Sequence, residues 1–252
     1  MAILAAIFLL GVIIFVHELG HFLFAKLLGI RVLKFSLGFG PKLIGIKYGD
    51  TEYVISYIPL GGYVKMLGEN PTEEIKEEEK IVTFKYQSIW KRFLIIVAGP
   101  LFNILFAATI FYSIFLLKGN FNVIRNIFIS IGITWEALTI TVVSFINLIG
   151  GIIPASSIGG PIAIVQMASE QTANGFISYL ILMAFISINI GIVNLLPIPI
   201  LDGGHIFFMG IEAIKKKPIS RKFILNSQRI GLVMILSLMG FTVYNDIAKL
   251  LK

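Results

Sequence analysis

A His-Glu-x-x-His sequence, His17 to His21, lies inside an apolar run that carries no other charge between residues 2 and 25. In an α-helix, residues four apart share one face, which is the spacing that two imidazoles need to bind one tetrahedral metal ion. Glu18 lies beside that face, within reach of a water at such an ion. A lone carboxylate is costly inside a membrane, so the sequence favours a functional site over a pair of core histidines.

The composition predicts an α-helical integral membrane protein. Hydrophobic residues make up 57% of the 252 residues and charged residues only 14%, and the mean hydropathy is +0.91. These values lie far from those of a soluble domain. The chain contains no cysteine, so a metal ion must be held by imidazole and carboxylate groups.

We expect about four transmembrane helices, with a β-hairpin associated with the membrane between the first two. The first apolar run lacks the basic segment and cleavage site of a secretory signal, so we interpret it as a retained span. Residues 118–136 are expected to form a short linker. Glycine and proline in residues 137–169 favour an interfacial helix followed by a folded-back loop over a further span. The four predicted spans are residues 2–25, 93–117, 176–196 and 230–245.

The distribution of basic residues predicts how the chain is oriented across the membrane. The loops 26–92 and 213–229 hold 17 of the 21 lysine and arginine residues. By the positive-inside rule both loops are cytoplasmic and both termini lie outside, which places the histidines near the cytoplasmic face. The net charge of +7 is therefore interpreted as a signal of membrane orientation, and we expect no nucleic-acid partner.

The loop 26–92 contains two β-rich runs within residues 43–58, joined at Gly49-Asp50, a two-residue hairpin signal. The hairpin is apolar for a loop, so we expect it to approach the membrane, with residues 51–58 as an exposed edge. Pro59 to Gly62 are expected to prevent regular continuation. Residues 69–80 form a Glu/Lys-rich stretch, predicted as a solvated loop or short helix without chemistry of its own.

A third metal ligand is expected near a break in the third span. Pro197 and Pro199 interrupt that helix, and Asp202 follows them. His205 is the alternative ligand. Two imidazoles and one carboxylate leave a zinc ion one position for a water of pKa about 7, whose proton Glu18 could transfer to a leaving amine. This arrangement fits amide hydrolysis, while Asn103 in the second span is expected to serve packing.

Four sequence blocks in this order resemble the site-2 protease family of intramembrane zinc metalloproteases, and most closely its bacterial regulator-of-sigma-E protease branch. The resemblance covers almost the whole chain. A single His-Glu-x-x-His block is only moderately specific, whereas four ordered blocks are very specific. The blocks are residues 17–21 (HELGH), 59–66 (PLGGYVKM), 99–103 (GPLFN) and 194–205 (NLLPIPILDGGH).

The resemblance implies that His17, His21 and Asp202 bind zinc and that Glu18 is the catalytic base. It implies that Asn194 holds the substrate segment and that the hairpin pairs with an unwound substrate by β-strand addition. The implied substrates are single-span membrane proteins in the bilayer, such as anti-sigma factors or remnant signal peptides. The implied location is the bacterial inner membrane.

One departure from the family is large, because members of this branch usually carry one or two PDZ domains between spans two and three. Here only residues 118–136 occupy that position. The chain is therefore either a natural minimal member of the family or a form from which the PDZ region has been removed. Two other functions are weighed: a membrane metal-ion transporter and a non-catalytic scaffold. A transporter should show ligands along a path across the bilayer, and a scaffold has no need of Glu18.

Overall fold

The computed structural model describes residues 2–70 and 73–251. Within those residues the chain forms seven α-helices, two long β-strands and three short 3-10 helices. The α-helices are α1 (Ala2–Leu27), α2 (Ile89–Leu117), α3 (Val123–Ile149), α4 (Pro161–Ala173), α5 (Phe176–Asn194), α6 (Asp202–Lys215) and α7 (Arg221–Leu250). The strands are β1 (Val32–Tyr48) and β2 (Thr51–Met66), and the 3-10 helices are Glu77–Val82, Phe84–Tyr86 and Ala155–Ser157.

Among the described residues, five helices are long and apolar enough to cross a membrane: α1, α2, α3, α5 and α7. Four of them, α1, α2, α5 and α7, coincide with the predicted spans. The multi-pass helical class predicted from composition is therefore confirmed. Helices α2 and α7 extend beyond the predicted bounds, because the polar and basic residues that flank the uncharged runs continue the helix.

Helix α3 corrects the predicted linker 118–136. Only residues 118–122 form a connection, and the helix begins at Val123. Asn122 caps it, since its side chain accepts a hydrogen bond from the Arg125 backbone N–H at 3.1 Å. The region 137–169 contains the second half of α3, a connection and most of α4, in place of the one interfacial helix and folded-back loop that were predicted.

Helix α3 buries small polar side chains and exposes large apolar ones. Asn126, Ser130 and Thr134 are buried at intervals of four residues, whereas Phe128 and Trp135 are largely exposed. The Ser130 and Thr134 hydroxyls donate to the carbonyls four residues earlier, both at 2.7 Å, so they are satisfied without water. A surface helix of a soluble protein has the opposite pattern, with apolar side chains buried and polar side chains exposed. The pattern of α3 fits a helix surrounded by lipid.

The predicted hairpin is present. Residues 42–48 of β1 pair with residues 51–56 of β2 in an antiparallel register that closes at Tyr48 and Thr51. Gly49 occupies the turn with a φ of 59°, a left-handed conformation that glycine adopts without strain. The two-residue turn signal therefore predicted the hairpin correctly.

Two predictions about β2 are wrong. The strand continues to Met66 through the Pro59–Gly62 segment, because residues 62–66 find partners in residues 32–37 of β1. Residues 52–55 are paired on both sides, with residues 44–47 and with residues 34–37, so residues 51–58 are not an exposed edge. The two outer segments of the sheet are residues 42–48 and residues 62–66.

The chain forms two compact units. The site unit comprises Leu10–Phe102 and Asn194–Gly231, and the second unit comprises Met1–Leu9, Asn103–Val193 and Leu232–Lys252. In the site unit, α1, both strands, α2 and α6 pack together around one hydrophobic cluster. The sheet therefore packs against the helices that carry the candidate ligands. Its buried members are Ala25, Ile30, Val32, Phe35, Val64, Met66, Phe84, Ile95, Ile96 and Met209.

Buried polar contacts hold the second unit. Asn103 is fully buried, and its backbone carbonyl accepts a hydrogen bond from the Ser187 hydroxyl at 2.9 Å. The packing role expected for its side chain stays a prediction. The Asp246 carboxylate on α7 accepts three backbone N–H bonds, each of 3.0 Å, from the start of α4. The donors are Gly160, Ile162 and Ala163. A carboxylate at a helix N-terminus satisfies N–H groups that have no partner within the helix.

Candidate metal centre

The two histidines of the His-Glu-x-x-His sequence point to one place. His17 and His21 lie one turn apart on α1, both 7% exposed, and their Nε2 atoms are 3.2 Å apart. The helical spacing thus produces the predicted pair of imidazole donors.

Asp202 completes a group of three donors. Its Oδ2 atom lies 3.0 Å from His17 Nε2 and 3.4 Å from His21 Nε2. Among the described residues, this is the only set of three or more histidine and acidic side chains that could hold a metal ion. His205 is not in the set, so the geometry favours Asp202 over the alternative third ligand.

The break before α6 positions Asp202. Helix α5 ends at Asn194, and a turn with Leu196 and Ile198 carbonyls as acceptors leads to α6, whose first residue is Asp202. Gly203 packs against the Leu195 and Leu196 carbonyls so closely that a β-carbon there would overlap them. The absence of a side chain at Gly203 therefore lets the turn fold tightly onto the start of α6.

The three donors fit a tetrahedral metal ion. Ligand atoms bound to one tetrahedral zinc at about 2.0 Å lie about 3.3 Å from each other. The observed separations of 3.0, 3.2 and 3.4 Å bracket that value. Two neutral imidazoles and one carboxylate are donors that zinc accepts, and they leave a fourth position for water or substrate.

Gly99 on α2 leaves room for this centre. A β-carbon at Gly99 would overlap His21 Nε2 and lie 2.9 Å from His17 Nε2. The sequence marks Gly99 only as part of the block 99–103, and nothing in it predicts that this glycine lies directly against both imidazoles. Any other residue at this position would fill the space between α2 and the donor atoms.

A hydrogen bond fixes the orientation of His21. Its Nδ1 donates to the Ile95 carbonyl on α2 at 2.9 Å. With the proton on Nδ1, the Nε2 lone pair is directed at the donor group, which is the usual arrangement for a histidine that binds a metal. The sequence gives no signal for Ile95, since the contact uses only its backbone.

Glu18 lies next to the donors but outside their group. Its side chain faces the outer segment of β2: the Val64 backbone N–H lies within hydrogen-bonding reach of the carboxylate, and Glu18 Cγ is 3.2 Å from the position of a β-carbon on Gly62. Gly62 therefore allows the strand to approach α1 closely. A carboxylate beside three metal donors and a strand edge can exchange a proton with a group bound between them.

The other two predicted residues lie nearby in the chain but outside the donor group. Asn194 is the last residue of α5 and is partly buried, and its predicted role in holding substrate stays a prediction. His205 lies one turn into α6 and lines a cavity of about 440 Å³ within the site unit. Burial lowers the pKa of His205, which favours its neutral form.

Glu69 is a candidate functional residue that the sequence did not reveal, because it lies in a Glu/Lys-rich stretch that was predicted to be solvated. Residues 77–82 do form an exposed 3-10 helix, as expected, but Glu69 is partly buried and lines the same cavity as His205. Burial raises the pKa of Glu69 to about 7. The local composition gives no signal for this burial, because distant elements of the chain produce it.

A helical membrane protein with a His-Glu-x-x-His helix, a third carboxylate donor and an adjacent acid is the arrangement of a membrane metalloprotease. The sequence model of peptidase family M50 matches residues 5–238 of the chain. The chain therefore belongs to peptidase family M50, the site-2 protease family that its motifs resemble.

Relatives from several bacteria are named zinc metalloproteases. A protein of Mesorhizobium japonicum is 29% identical, with 96% of this chain and 97% of the relative covered. A protein of Campylobacter jejuni is 28% identical, with 98% of this chain and 94% of the relative covered. A protein of Clostridium acetobutylicum is also 28% identical, with 97% of each chain covered. The first alignment runs over 356 residues, more than the 252 of this chain, so that relative has segments without a counterpart here.

Proposed function

We propose that this chain is an intramembrane zinc endopeptidase that hydrolyses a peptide bond within or near the transmembrane segment of single-span membrane proteins. The observation that carries the proposal is the group of His17, His21 and Asp202, with Glu18 at its side, on helices of a membrane protein. Membership of family M50 supports it.

His17, His21 and Asp202 would hold the zinc ion, which when bound polarises water and the scissile carbonyl. Glu18 is placed to take a proton from the attacking water and return it to the leaving amine. The Nδ1–H bond from His21 to the Ile95 carbonyl keeps the Nε2 lone pair directed at the site throughout.

The substrate must give up helical structure before it can react, since a helical peptide bond is shielded by its own side chains and hydrogen bonds. The outer segment of β2, residues 62–66, is a better candidate for pairing with the extended segment than residues 51–58, which are already paired on both sides. It passes directly beside Glu18. β-Strand addition there would replace hydrogen bonds that the substrate loses in an apolar surrounding.

The basic loops 26–92 and 213–229 belong to one unit, joined by the Arg92–Glu212 ion pair, and support a cytoplasmic position for the site in the inner membrane. This orientation requires that only two of the three candidate spans between the loops, α2, α3 and α5, cross the bilayer. Substrates of the remnant signal peptide or anti-sigma factor type would then be cut near the cytoplasmic end of their span, in regulated intramembrane proteolysis. The site of cleavage can be located by mass spectrometry of the products.

Glu18→Gln tests the proposal. The purified chain, reconstituted in liposomes with zinc, is assayed on a panel of single-span peptides beside the Glu18→Gln variant. We expect cleavage by the wild type and its loss in the variant, with zinc content retained, because the amide removes the base and no ligand. Cleavage by Glu18→Gln at the wild-type rate would reject Glu18 as the base, and failure of the wild type on every peptide would count against the protease.

A further inference from the structure

A cavity of about 440 Å³ lies in the site unit beside the candidate metal centre. Its walls come from the turn after β2, the 3-10 helix Phe84–Tyr86, the start of α2, α6 and the start of α7. Glu69 and His205 line it, and Glu69 is close enough to Glu18, His21 and Asp202 to interact electrostatically with all three. The cavity therefore adjoins the place where a substrate would be cut.

Two carboxylates, those of Glu18 and Glu69, lie along the same strand edge. The Val64 N–H faces Glu18, and the Met66 N–H donates to Glu69 Oε2 at 3.1 Å. These amides are two residues apart on the outer segment of β2, which corresponds to about 7 Å along a strand. A peptide that lies along this segment beside Glu18 would reach Glu69 within a few residues.

Glu69 lacks a cationic partner. Within residues 2–70 and 73–251, no lysine or arginine forms an ion pair with it, whereas the other acid of the cavity wall, Glu212, pairs with Arg92 at 2.7 Å. Burial without a counter-charge disfavours the ionised carboxylate. A cation that enters the cavity would offset this cost, so the site has an intrinsic preference for a positively charged group.

The remaining charges of the wall do not oppose this preference strongly. Arg92 is neutralised by Glu212, and Lys85 and Arg221 are exposed, so their repulsion is screened by water and salt. The side-chain amides of Gln87 and Gln228 add donors and acceptors suited to an extended backbone.

A transmembrane substrate supplies the fitting cation. The cytoplasmic flank of a membrane span is enriched in lysine and arginine. Long basic side chains also reach several ångströms from their backbone, with an apolar stem that can pack on the aromatic residues Phe84 and Tyr86 of the wall.

We propose that this cavity binds the flank of the substrate next to the scissile bond and that Glu69 selects a lysine or arginine there. This inference rests on the proposed protease function and adds a substrate preference to it. Glu69 is then a specificity residue that contacts substrate, and His205 is a neutral wall residue of the same subsite.

The test is a binding measurement with uncut peptides. The full chain with Glu18→Gln, loaded with zinc in liposomes, is titrated with single-span peptides that carry lysine, glutamine or glutamate at successive flank positions. Because a charged hydrogen bond in a partly buried site is strong, we expect the lysine peptide to bind about tenfold more tightly than the glutamine peptide. The preference should peak within about four residues of the scissile bond, the reach of the strand from Glu18 to Glu69.

Glu69→Gln in the same background should abolish the preference, because the amide can still accept the Met66 N–H but carries no charge. Glu69→Lys should reverse it in favour of the glutamate peptide. Glu77→Gln is the matched control, since the Glu77 side chain is 85% exposed and pairs only with Lys80 in the described chain, and it should bind like the parent. Equal zinc content in all variants excludes an indirect effect through the metal.

A lysine preference that survives Glu69→Gln would overturn the inference. Failure of the cavity inference is distinguishable from failure of the protease proposal, since peptide binding can be measured without cleavage. A wild type that cleaves peptides but shows no dependence on the flank charge would reject only the cavity assignment. A Glu69-dependent lysine preference without any cleavage would reject only the protease.

Discussion

Gly99 on α2 lies directly against the His21 imidazole on α1, so that a β-carbon at Gly99 would overlap His21 Nε2. The same β-carbon would lie 2.9 Å from His17 Nε2. The two donor atoms that the sequence predicted are therefore held at the surface of a helix that must present no side chain at this point.

Gly99→Ala should reduce zinc affinity by at least about tenfold, the scale on which changes around metal ligands act. The added methyl group occupies the space next to both Nε2 atoms. Zinc content after dialysis against a chelator series measures the effect. Gly11→Ala is the matched control, because Gly11 lies on α1, the helix that carries both histidines, and no atom lies near its β-carbon position. This variant should retain zinc.

Asp246→Ala should destabilise the protein, because it leaves the backbone N–H groups of Gly160, Ile162 and Ala163 without their acceptor. Loss of a buried acceptor costs about 1–3 kcal/mol, which should appear as a lower midpoint of thermal unfolding in detergent. Asp50→Ala removes a carboxylate that is 67% exposed and pairs only with Arg31 in the described residues, so it should change the midpoint little. Equal midpoints for Asp246→Ala and wild type would contradict the capping role.

The raised pKa of Glu69, about 7, predicts a pH dependence of stability. The folded state keeps a proton that the unfolded chain releases at its ordinary pKa near 4.5, so the folded state loses stability as pH rises between about 4.5 and 7. Glu69→Gln lacks this titration. Its unfolding midpoint relative to wild type should therefore rise over that range and stay constant above it. A difference that is independent of pH would place the Glu69 carboxylate in water.

Helix-breaking residues near the scissile bond of a substrate should speed cleavage. Relative to alanine, glycine costs a helix about 1 kcal/mol and proline about 3 kcal/mol, so both lower the cost of extending the segment along residues 62–66. The rates for matched alanine, glycine and proline peptides measure the effect, and the same substitutions far from the cut provide the control. Equal rates for all three would show that unwinding does not limit the reaction.

The sequence was sufficient where local rules determine the structure. The four-residue spacing of His17 and His21 requires only a helix, and the Gly49-Asp50 turn requires only a hairpin. Asp202 could be predicted because a carboxylate after two prolines at membrane depth is rare and costly.

The predictions from sequence are wrong where contacts between distant parts of the chain determine the structure. Residues 62–66 continue β2 despite the nearby proline and glycines because they pair with residues 32–37, about thirty positions earlier. Helix α3 was missed because its small polar residues resemble a linker until they are seen as one buried stripe. Glu69 was predicted to be solvated because its neighbours in sequence are charged, whereas it lines a cavity together with Phe84 and residues of α6.

The most direct test of a catalytic zinc centre at His17, His21 and Asp202 is the zinc content of Asp202→Ala compared with His205→Ala, measured by elemental analysis of the purified proteins. Asp202→Ala removes one of three clustered donors, whereas His205 lies outside the group. We expect Asp202→Ala to lose both bound zinc and peptide cleavage, and His205→Ala to retain about one zinc per chain, as expected for a centre whose ligands are intact. A full complement of zinc in Asp202→Ala, or its loss in His205→Ala, would contradict the assignment.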